Sequence, residues 1–206
     1  MVIAVRNPIK AKIEDRASFL KHLLQEYPVL LEKWEKETER EMESFAEECA
    51  EGCDEICTSV LSQCMHAFDD DESRKDMFYQ AVFLMSFSYY ESTVALLSSK
   101  TKTREHIKAI CKSNNISLTV ESEKDIDYIQ DEINALRNNI IHNNMGTYKK
   151  VDTLKNLAKK WNGLHYENDS IWFTDPEIIE DAINKMHHVL SELCDKLGYK
   201  TKFTKK

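Results

Sequence analysis

Apolar residues recur along most of the chain at the three- and four-residue steps of an amphipathic helix. The clearest case lies in segment 74–99, where the steps between apolar positions are 4-3-4-3. This spacing places side chains on one helix face, which packs against a core. The pattern therefore predicts a central core helix, and its stripe consists of Phe83, Phe87, Tyr90, Val94 and Leu97.

The N-terminal third also has a helical pattern, with two predicted interruptions. Apolar residues at helical spacing occupy 12–27, and Pro28 then stands where it would kink or break the helix. Between Val29 and Phe68 only Gly52 opposes a helix. At 1.5 Å per residue this helix would be roughly 60 Å long, so we expect an interruption along it. Its predicted apolar stripe is Leu31, Trp34, Phe45, Cys49, Cys53, Ile56, Val60 and Cys64.

Shorter patterns complete the predicted elements. Asn168 and Asp169 separate two short apolar runs, so residues 164–173 are predicted to form a small β-hairpin. Asp175 and Pro176 suit the start of a final helix, which glycine ends at position 198. The other predicted elements are a helix start at the acidic run 69–72, a short helix at 103–113, an extended segment at 116–120 and a helix at 123–145.

Composition supports a single all-α domain. The chain has 206 residues with only four glycines and three prolines, so turns are few. Its 42% apolar and 31% charged residues supply both faces of amphipathic helices. We therefore predict one helical-bundle domain over 1–206, with about five main helices, an N-terminal helical extension and a short basic tail at about 198–206.

Charge and cysteine usage limit the possible partners and compartment. A net charge of −8 argues against a protein that coats nucleic acid through its overall field, so any RNA contact must be local. The cysteines at 49, 53, 57 and 64 are expected to be reduced core thiols and not metal ligands. The first residues lack a secretion signal, and no apolar run is long enough to cross a membrane. We therefore expect a cytoplasmic protein that does not enter membranes.

Residues 137–142, Arg-Asn-Asn-Ile-Ile-His, combine a fixed cation, a titratable imidazole and amides on one predicted helix. Arginine binds a phosphate through two parallel N–H bonds, and histidine transfers protons near neutral pH. On a helical wheel these residues point away from the core stripe. Ile141 and Met145 share the outward side although they are apolar, which predicts a second packed surface, most simply in a homodimer. The core stripe itself is Ile129, Ile133, Leu136 and Ile140.

The pattern of Arg137, Asn138 and His142 resembles the motif of the HEPN superfamily. It stands late in a helix, after a core helix that reads Phe-Ser-Tyr-Tyr-Glu-Ser-Thr-Val-Ala-Leu-Leu and before a final amphipathic helix. Asn143 extends the likeness, because many members continue with Asn and then Gly. Here Asn144 and a methionine intervene before the glycine at position 146.

The resemblance implies a helical bundle that dimerises through the motif helices and cleaves RNA without a metal or other cofactor. The products would be a 2′,3′-cyclic phosphate and a 5′-OH end. It implies that His142 moves a proton, that Arg137 stabilises charge on the phosphorane, and that Asn138 orients one of them or the phosphate. By analogy, such a chain belongs to a toxin–antitoxin or phage-defence system, with an antitoxin or sensor protein as partner.

Several alternatives stay open. Glu91 either holds Arg137 by a charged pair or is an exposed helix carboxylate. The chain as a whole is either a nuclease, an inactive HEPN-type module that binds a nucleotide or a protein, or an unrelated helical dimer scaffold. Spacing alone is weak evidence, since Arg16 and His22 form a similar pair that we interpret as two surface residues.

Overall fold

The computed structural model describes residues 8–50, 54–68, 71–97, 106–142 and 150–198. These residues are mostly helical and include a two-stranded sheet, so the predicted all-α character is confirmed. The elements are α1 (Pro8–Ala50), α2 (Asp54–Phe68), α3 (Asp71–Leu97), α4 (His106–Asn114), α5 (Val120–Tyr128), a π-helical turn (Ile129–Ile133), α6 (Asn134–His142), α7 (Val151–Lys160), β1 (Leu164–Glu167), β2 (Ser170–Phe173) and α8 (Glu177–Lys196).

The first helix is 43 residues long and contains Pro28 in its interior. The prediction that the helix breaks at this proline is therefore wrong. Proline removes one backbone hydrogen bond from a helix interior. Leu24 and Leu31 are both buried, one on each side of the proline, and their packing offsets that loss. The second interruption falls after Ala50, and residues 51–53 lie outside the described part of the chain.

Beyond Pro28, α1 pairs with α2 to form a helical hairpin. Leu31 is buried as predicted, but Trp34 and Phe45 are about half exposed. The positions that turn inward are alanines, and Ala46 and Ala50 are both buried. Small residues allow two helices to approach closely, which explains why alanine occupies the inner face. Ile56 is also exposed, contrary to the predicted stripe.

The cysteines fit the expectation of free thiols better than that of core residues. Cys49 is exposed and Cys57 is partly buried, so the predicted burial of the first is wrong. Both are free thiols, as are Cys111 and the fully buried Cys194. Of the other cysteines in the predicted stripe, position 53 and the side chain at position 64 lie outside the described residues.

The predicted core helix is confirmed. All five residues of its stripe, from Phe83 to Leu97, are buried on α3. The last helix, α8, packs against α1, α3 and α5, and its buried face fills the space between them. Among the described residues, no helix is long and apolar enough to cross a membrane.

The hairpin at 164–173 is also confirmed. β1 and β2 are antiparallel, and Asn168 and Asp169 have φ values of 49° and 63°. A two-residue turn with both residues left-handed matches the twist of the strands, and Asn and Asp tolerate that conformation. The hairpin is fastened to α3, because the Phe173 N–H donates to Asp76 Oδ1 at 2.7 Å and Gln80 Nε2 donates to Asp76 Oδ2 at 2.7 Å.

Two parts of the fold differ from the sequence-based expectation. Helix α7 was not predicted, although Leu154 and Leu157 are spaced for one helix face and are buried. The segment predicted to be extended, 116–120, is shorter than expected: Thr119 is extended, with φ −66° and ψ 157°, but Val120 already begins α5. Thr119 is the N-cap of that helix, and its hydroxyl accepts a hydrogen bond from the Ser122 N–H.

Candidate functional site

The Arg-Asn-Asn-Ile-Ile-His motif ends α6, which continues from α5 through the π-helical turn. In that turn the Asn134 N–H donates to the Ile129 carbonyl, five residues earlier. The extra residue in the turn rotates the faces of α6 relative to those of α5. Ile129, Ile133 and Leu136 are buried as the wheel predicted, but Ile140, the fourth residue of the predicted stripe, is only partly buried. The buried face of α6 instead includes Ala135 and Asn139.

The start of this long helix is fixed to α8. Glu192 accepts hydrogen bonds from the Thr119 N–H at 2.9 Å and from its hydroxyl at 2.8 Å. Burial acts to raise the pKa of Glu192, but hydrogen bonds from the start of α5 outweigh it and lower the pKa. One turn further along, His188 Nδ1 lies 2.8 Å from Asp125 Oδ2. These contacts orient the helix that carries the motif.

A cluster of cations surrounds the aromatic residue just before the π-helical turn. The Lys160 and Lys185 ammonium groups lie 4.8 and 5.2 Å from the centre of the Tyr128 ring. Lys185 also forms an ion pair with Asp181. Burial raises the pKa of the Tyr128 hydroxyl, and the Asp181 carboxylate adds to the shift. The cluster joins α7 and α8 to the motif helix at the point where its geometry changes.

Arg137 is held by three side chains in the structure. Its Nη1 donates to Asn138 Oδ1 at 2.9 Å, and its Nη2 lies 3.9 Å from Glu91 Oε2 on α3. The guanidinium carbon stands 5.7 Å from the centre of the buried Phe87 ring. Both alternatives for Glu91 thus hold in part, since it pairs with Arg137 and 56% of its side chain is exposed. These contacts aim the arginine head along the surface of α3.

His142 lies apart from this group. It is exposed at the last residue of α6, and within the described residues no hydrogen bond or ion pair reaches its ring. Arg137 and His142 are five residues apart, which places them about 140° from each other around an α-helix. A single chain therefore brings together Arg137, Asn138 and Glu91, and it does not bring the imidazole into contact with them.

The outward apolar surface is only partly described. Ile141 is 45% exposed on α6, as the wheel predicted for this residue. Asn143 and Met145 belong to residues 143–149, outside the described part of the chain, so their predicted roles stay predictions. Ile141 thus marks an uncovered apolar position directly beside the motif.

The sequence analysis missed Asn139, which occupies the middle of the motif. It is 2% exposed, and its Nδ2 donates to the Asp169 carbonyl at 3.2 Å. This bond joins α6 to the turn of the hairpin. Asn139 lies one turn after the buried Ala135 and about 60° from the buried Leu136, so it shares the buried face of α6, which the apolar stripe alone did not indicate.

No protein-family model matches the chain, and no similarity was found to a curated protein or to a solved structure.

Proposed function

We propose that the chain is a metal-independent endoribonuclease of the HEPN type, in which Arg137, Asn138 and His142 form the catalytic group. The observation that carries the proposal is the fixed position of Arg137. Its guanidinium is bonded to Asn138 and braced by Glu91 and Phe87, at the surface of a helix that also exposes His142. A preorganised cation and a titratable imidazole on one helix suit a reaction at a phosphate ester once the two groups are brought together.

The reaction is an internal transfer at phosphorus. A base removes the proton from a ribose 2′-OH, the 2′-oxygen bonds to the adjacent phosphorus, and the bond to the 5′-oxygen breaks as that oxygen takes a proton. The products are a 2′,3′-cyclic phosphate and a 5′-OH end. His142 moves one of these protons, and Arg137 stabilises the charge that develops on the phosphorane oxygens. Asn138 keeps the guanidinium in place through its 2.9 Å hydrogen bond.

The site is completed by a second copy of the chain. Arg137 and His142 diverge around α6, and the apolar Ile141 lies on the surface between them with 45% exposure. Pairing two α6 helices about a two-fold axis would cover Ile141 and bring the imidazole of one copy towards the arginine of the other. Met145 and Asn143, which the sequence assigns to the interface and to the site, lie outside the described residues, so their roles stay predictions.

A nuclease of this kind needs restraint in its cell. By analogy with small HEPN proteins, we place it in a toxin–antitoxin or phage-defence system in the cytoplasm, with RNA as substrate and an antitoxin or sensor protein as partner. The −8 net charge of the chain agrees with a protein that admits RNA only locally, at the Arg137 cluster.

A binding module without catalysis is the rival function, and one observation favours it. Within one chain, Arg137 already has a carboxylate partner, while the imidazole of His142 contacts neither Arg137 nor Asn138 in the described residues. An arrangement of this kind also suits a surface that holds a nucleotide or a protein and leaves every bond intact.

The deciding experiment is RNA cleavage by the purified full chain in EDTA, with Arg137→Ala and His142→Ala assayed beside it. Arg16→Ala and His22→Ala are matched controls, because they remove the same residue types from the exposed side of α1. We expect each motif variant to lose about 10²-fold or more of the cleavage rate and each control to keep it. The ends of the product should carry 2′,3′-cyclic phosphate and 5′-OH.

The rival functions predict other results. A binding module leaves RNA intact at every protein concentration, yet its affinity for RNA or nucleotide falls in Arg137→Ala. A contaminating nuclease cleaves equally in all variants, and equal cleavage by Arg137→Ala and His142→Ala would refute the catalytic assignment.

A further inference from the structure

The distal part of α1 and the whole of α2 form a two-helix arm, residues 35–50 and 54–68. Among the described elements, α2 packs on α1 and on no other element to a comparable extent. The base of the arm lies at Trp34, whose ring centre is 5.1 Å from the guanidinium carbon of Arg74 on α3. Beyond this base α1 extends about 24 Å at 1.5 Å per residue.

The arm holds nearly all of the net charge of the chain. Residues 35–50 and 54–68 contain nine acidic and two basic side chains, a net charge of −7 in a chain of −8. Near the base, Lys36 pairs with Glu32 at 2.6 Å and Lys33 pairs with Glu37 at 3.7 Å. In the described residues 38–50, no ion pair neutralises a glutamate.

Apolar side chains lie on one flank of this charged helix. Leu30, Trp34 and Phe45 are 61%, 44% and 53% exposed. Their separations of four and eleven residues place them within about 60° of each other around α1. Three glutamates fall beside them on the same flank. We name this surface the apolar–acidic stripe, and its residues are Leu30, Trp34, Glu37, Glu41, Phe45 and Glu48.

The other flank of α1 is different. Glu39, Glu43 and Glu47 lie about 140° to 220° from Trp34, and the apolar residue nearest to them between positions 35 and 48 is the buried Ala46. Val29 is exposed on this flank but precedes the arm. Both flanks are thus acidic, and from Trp34 to Glu48 only the flank of the stripe exposes large apolar side chains. Exposed aromatic residues are costly in water and mark interaction surfaces when they are aligned.

Three candidate partners of the stripe are excluded by its negative charge or by distance. A second arm or an RNA strand would place negative charge against negative charge. The basic C-terminal tail is too far away, because Lys10 at the start of α1 pairs with Asp195 near the end of α8 at 2.6 Å. Phe45 is about 50 Å along the helix from Lys10, whereas residues 199–206, which carry the lysines of this segment, span about 28 Å at most when fully extended.

We propose that the apolar–acidic stripe docks a basic amphipathic helix of another protein. The apolar face of that helix would cover Leu30, Trp34 and Phe45, and its lysines or arginines would pair with the stripe glutamates. From Leu30 to Glu48 the stripe is about 27 Å long, the length of a helix of about 18 residues. This proposal does not depend on RNA cleavage, and it holds whether or not the motif is catalytic.

The test uses the full chain and a fluorescent synthetic peptide of about 18 residues, with leucines on one helix face and lysines on the other. Two control peptides are a scrambled sequence of the same composition and a version with glutamate in place of lysine. Binding is measured by fluorescence anisotropy to wild type and to two charge-matched triple variants. The stripe variant is E37Q/E41Q/E48Q, and its control on the other flank is E39Q/E43Q/E47Q.

We expect saturable one-to-one binding of the lysine peptide, weakened about tenfold by the stripe variant and less than about twofold by the control variant. Phe45→Ser should weaken it by a similar factor, with unchanged helical content by circular dichroism because the ring is exposed. Equal weakening by both triple variants, or equal binding of the scrambled peptide, would mean diffuse attraction and overturn the proposal. A stripe variant that alters the sedimentation of the protein alone, or its affinity for RNA, would identify a different occupant.

Discussion

The side-chain amide of Asn139 donates a hydrogen bond to the main-chain carbonyl of Asp169, 3.2 Å away, and thereby joins the motif helix to the hairpin turn. Both partners are in unusual positions for their chemistry. Asn139 is a polar residue with 2% exposure, and Asp169 has a positive φ of 63°. The bond satisfies the buried amide nitrogen and helps to hold the left-handed turn against α6, while Asn139 Oδ1 is buried without a hydrogen-bond partner.

Asn139→Ala is expected to destabilise the protein by about 1–3 kcal/mol, because it removes this bond and leaves a small void. Asn139→Asp is expected to cost more, since it buries a charge whose neighbour is a carbonyl oxygen. Chemical denaturation measures both. Asn156→Ala on the exposed side of α7 is the control, and an effect there as large as at position 139 would contradict the role of the buried amide.

Removal of the carboxylate that braces Arg137 is expected to affect cleavage more than folding. Glu91→Gln removes the charge 3.9 Å from the guanidinium, while the exposed side chain contributes little to stability. If Glu91 orients the arginine, we expect the cleavage rate to fall about three- to tenfold with an unchanged melting temperature. Arg137→Lys should lose more, since lysine cannot form the fork geometry. A faster Glu91→Gln enzyme would show instead that the pair restrains the arginine.

Local patterns in the sequence were sufficient to predict the core helix and the hairpin. The α3 stripe follows helical spacing without interruption, and the Asn168-Asp169 turn requires the residue types that tolerate positive φ. Both features depend on neighbours within a few residues, so the sequence alone determines them. The same reasoning found Arg137 and His142, because their chemistry is visible in the residue types.

Features that depend on distant contacts were not found from sequence. The helix continues through Pro28 because leucines on both sides are buried by other elements, which a local rule cannot include. The π-helical turn at Ile129–Ile133 precedes α6, and the apolar stripe alone did not indicate that Asn139 shares the buried face of that helix. Which side of the α1–α2 hairpin is covered depends on the packing of α2, so Phe45 was assigned to the buried stripe although it is exposed.

Ile141 provides a test of the composite site that is independent of catalysis. If two α6 helices pack together, Ile141→Asp places a charge in an apolar contact and should weaken dimerisation about tenfold or more. Analytical ultracentrifugation at micromolar concentration measures the effect. Val120→Asp is a matched control, because Val120 is 70% exposed on α5 and away from the motif. A monomeric wild type, or dissociation by Val120→Asp alone, would exclude pairing through α6.

The bond network around Glu192 predicts a loss of stability in acid. Its pKa is lower in the folded protein than its usual value of 4.5, so its contribution is complete above that value. The contribution is lost as the pH falls through the lower, folded pKa. Glu192→Gln is expected to cost about 1–2 kcal/mol at neutral pH and to reduce the slope of stability against pH below about pH 4.5. Denaturation at several pH values tests this, with the exposed Glu39→Gln as the variant that should leave the slope unchanged.

Asp76, which connects the hairpin to the core, has a raised pKa, so its effect on stability changes with pH in the opposite direction to that of Glu192. Burial raises its pKa in the folded protein, and the hydrogen bonds from Phe173 and Gln80 only partly offset that shift. A raised pKa means that folding disfavours the ionised form, so this residue stabilises the fold best at low pH and less as the pH rises through its folded pKa. The carboxylate is nevertheless the acceptor that both donors need.

Two variants separate the cost of burying the Asp76 charge from the gain of its hydrogen bonds. Asp76→Ala leaves the Phe173 N–H without its acceptor and leaves the Gln80 amide with only the Ile171 carbonyl, and we expect a loss of about 2 kcal/mol at neutral pH. Asp76→Asn keeps an acceptor for Phe173 without a charge to bury, so its stability should equal or exceed that of wild type above the folded pKa. Asp127→Ala is the control, because its exposed ion pair with Lys108 contributes little. Should Asp76→Asn be as unstable as Asp76→Ala, the charge itself and not the hydrogen bonds would hold β2 on α3.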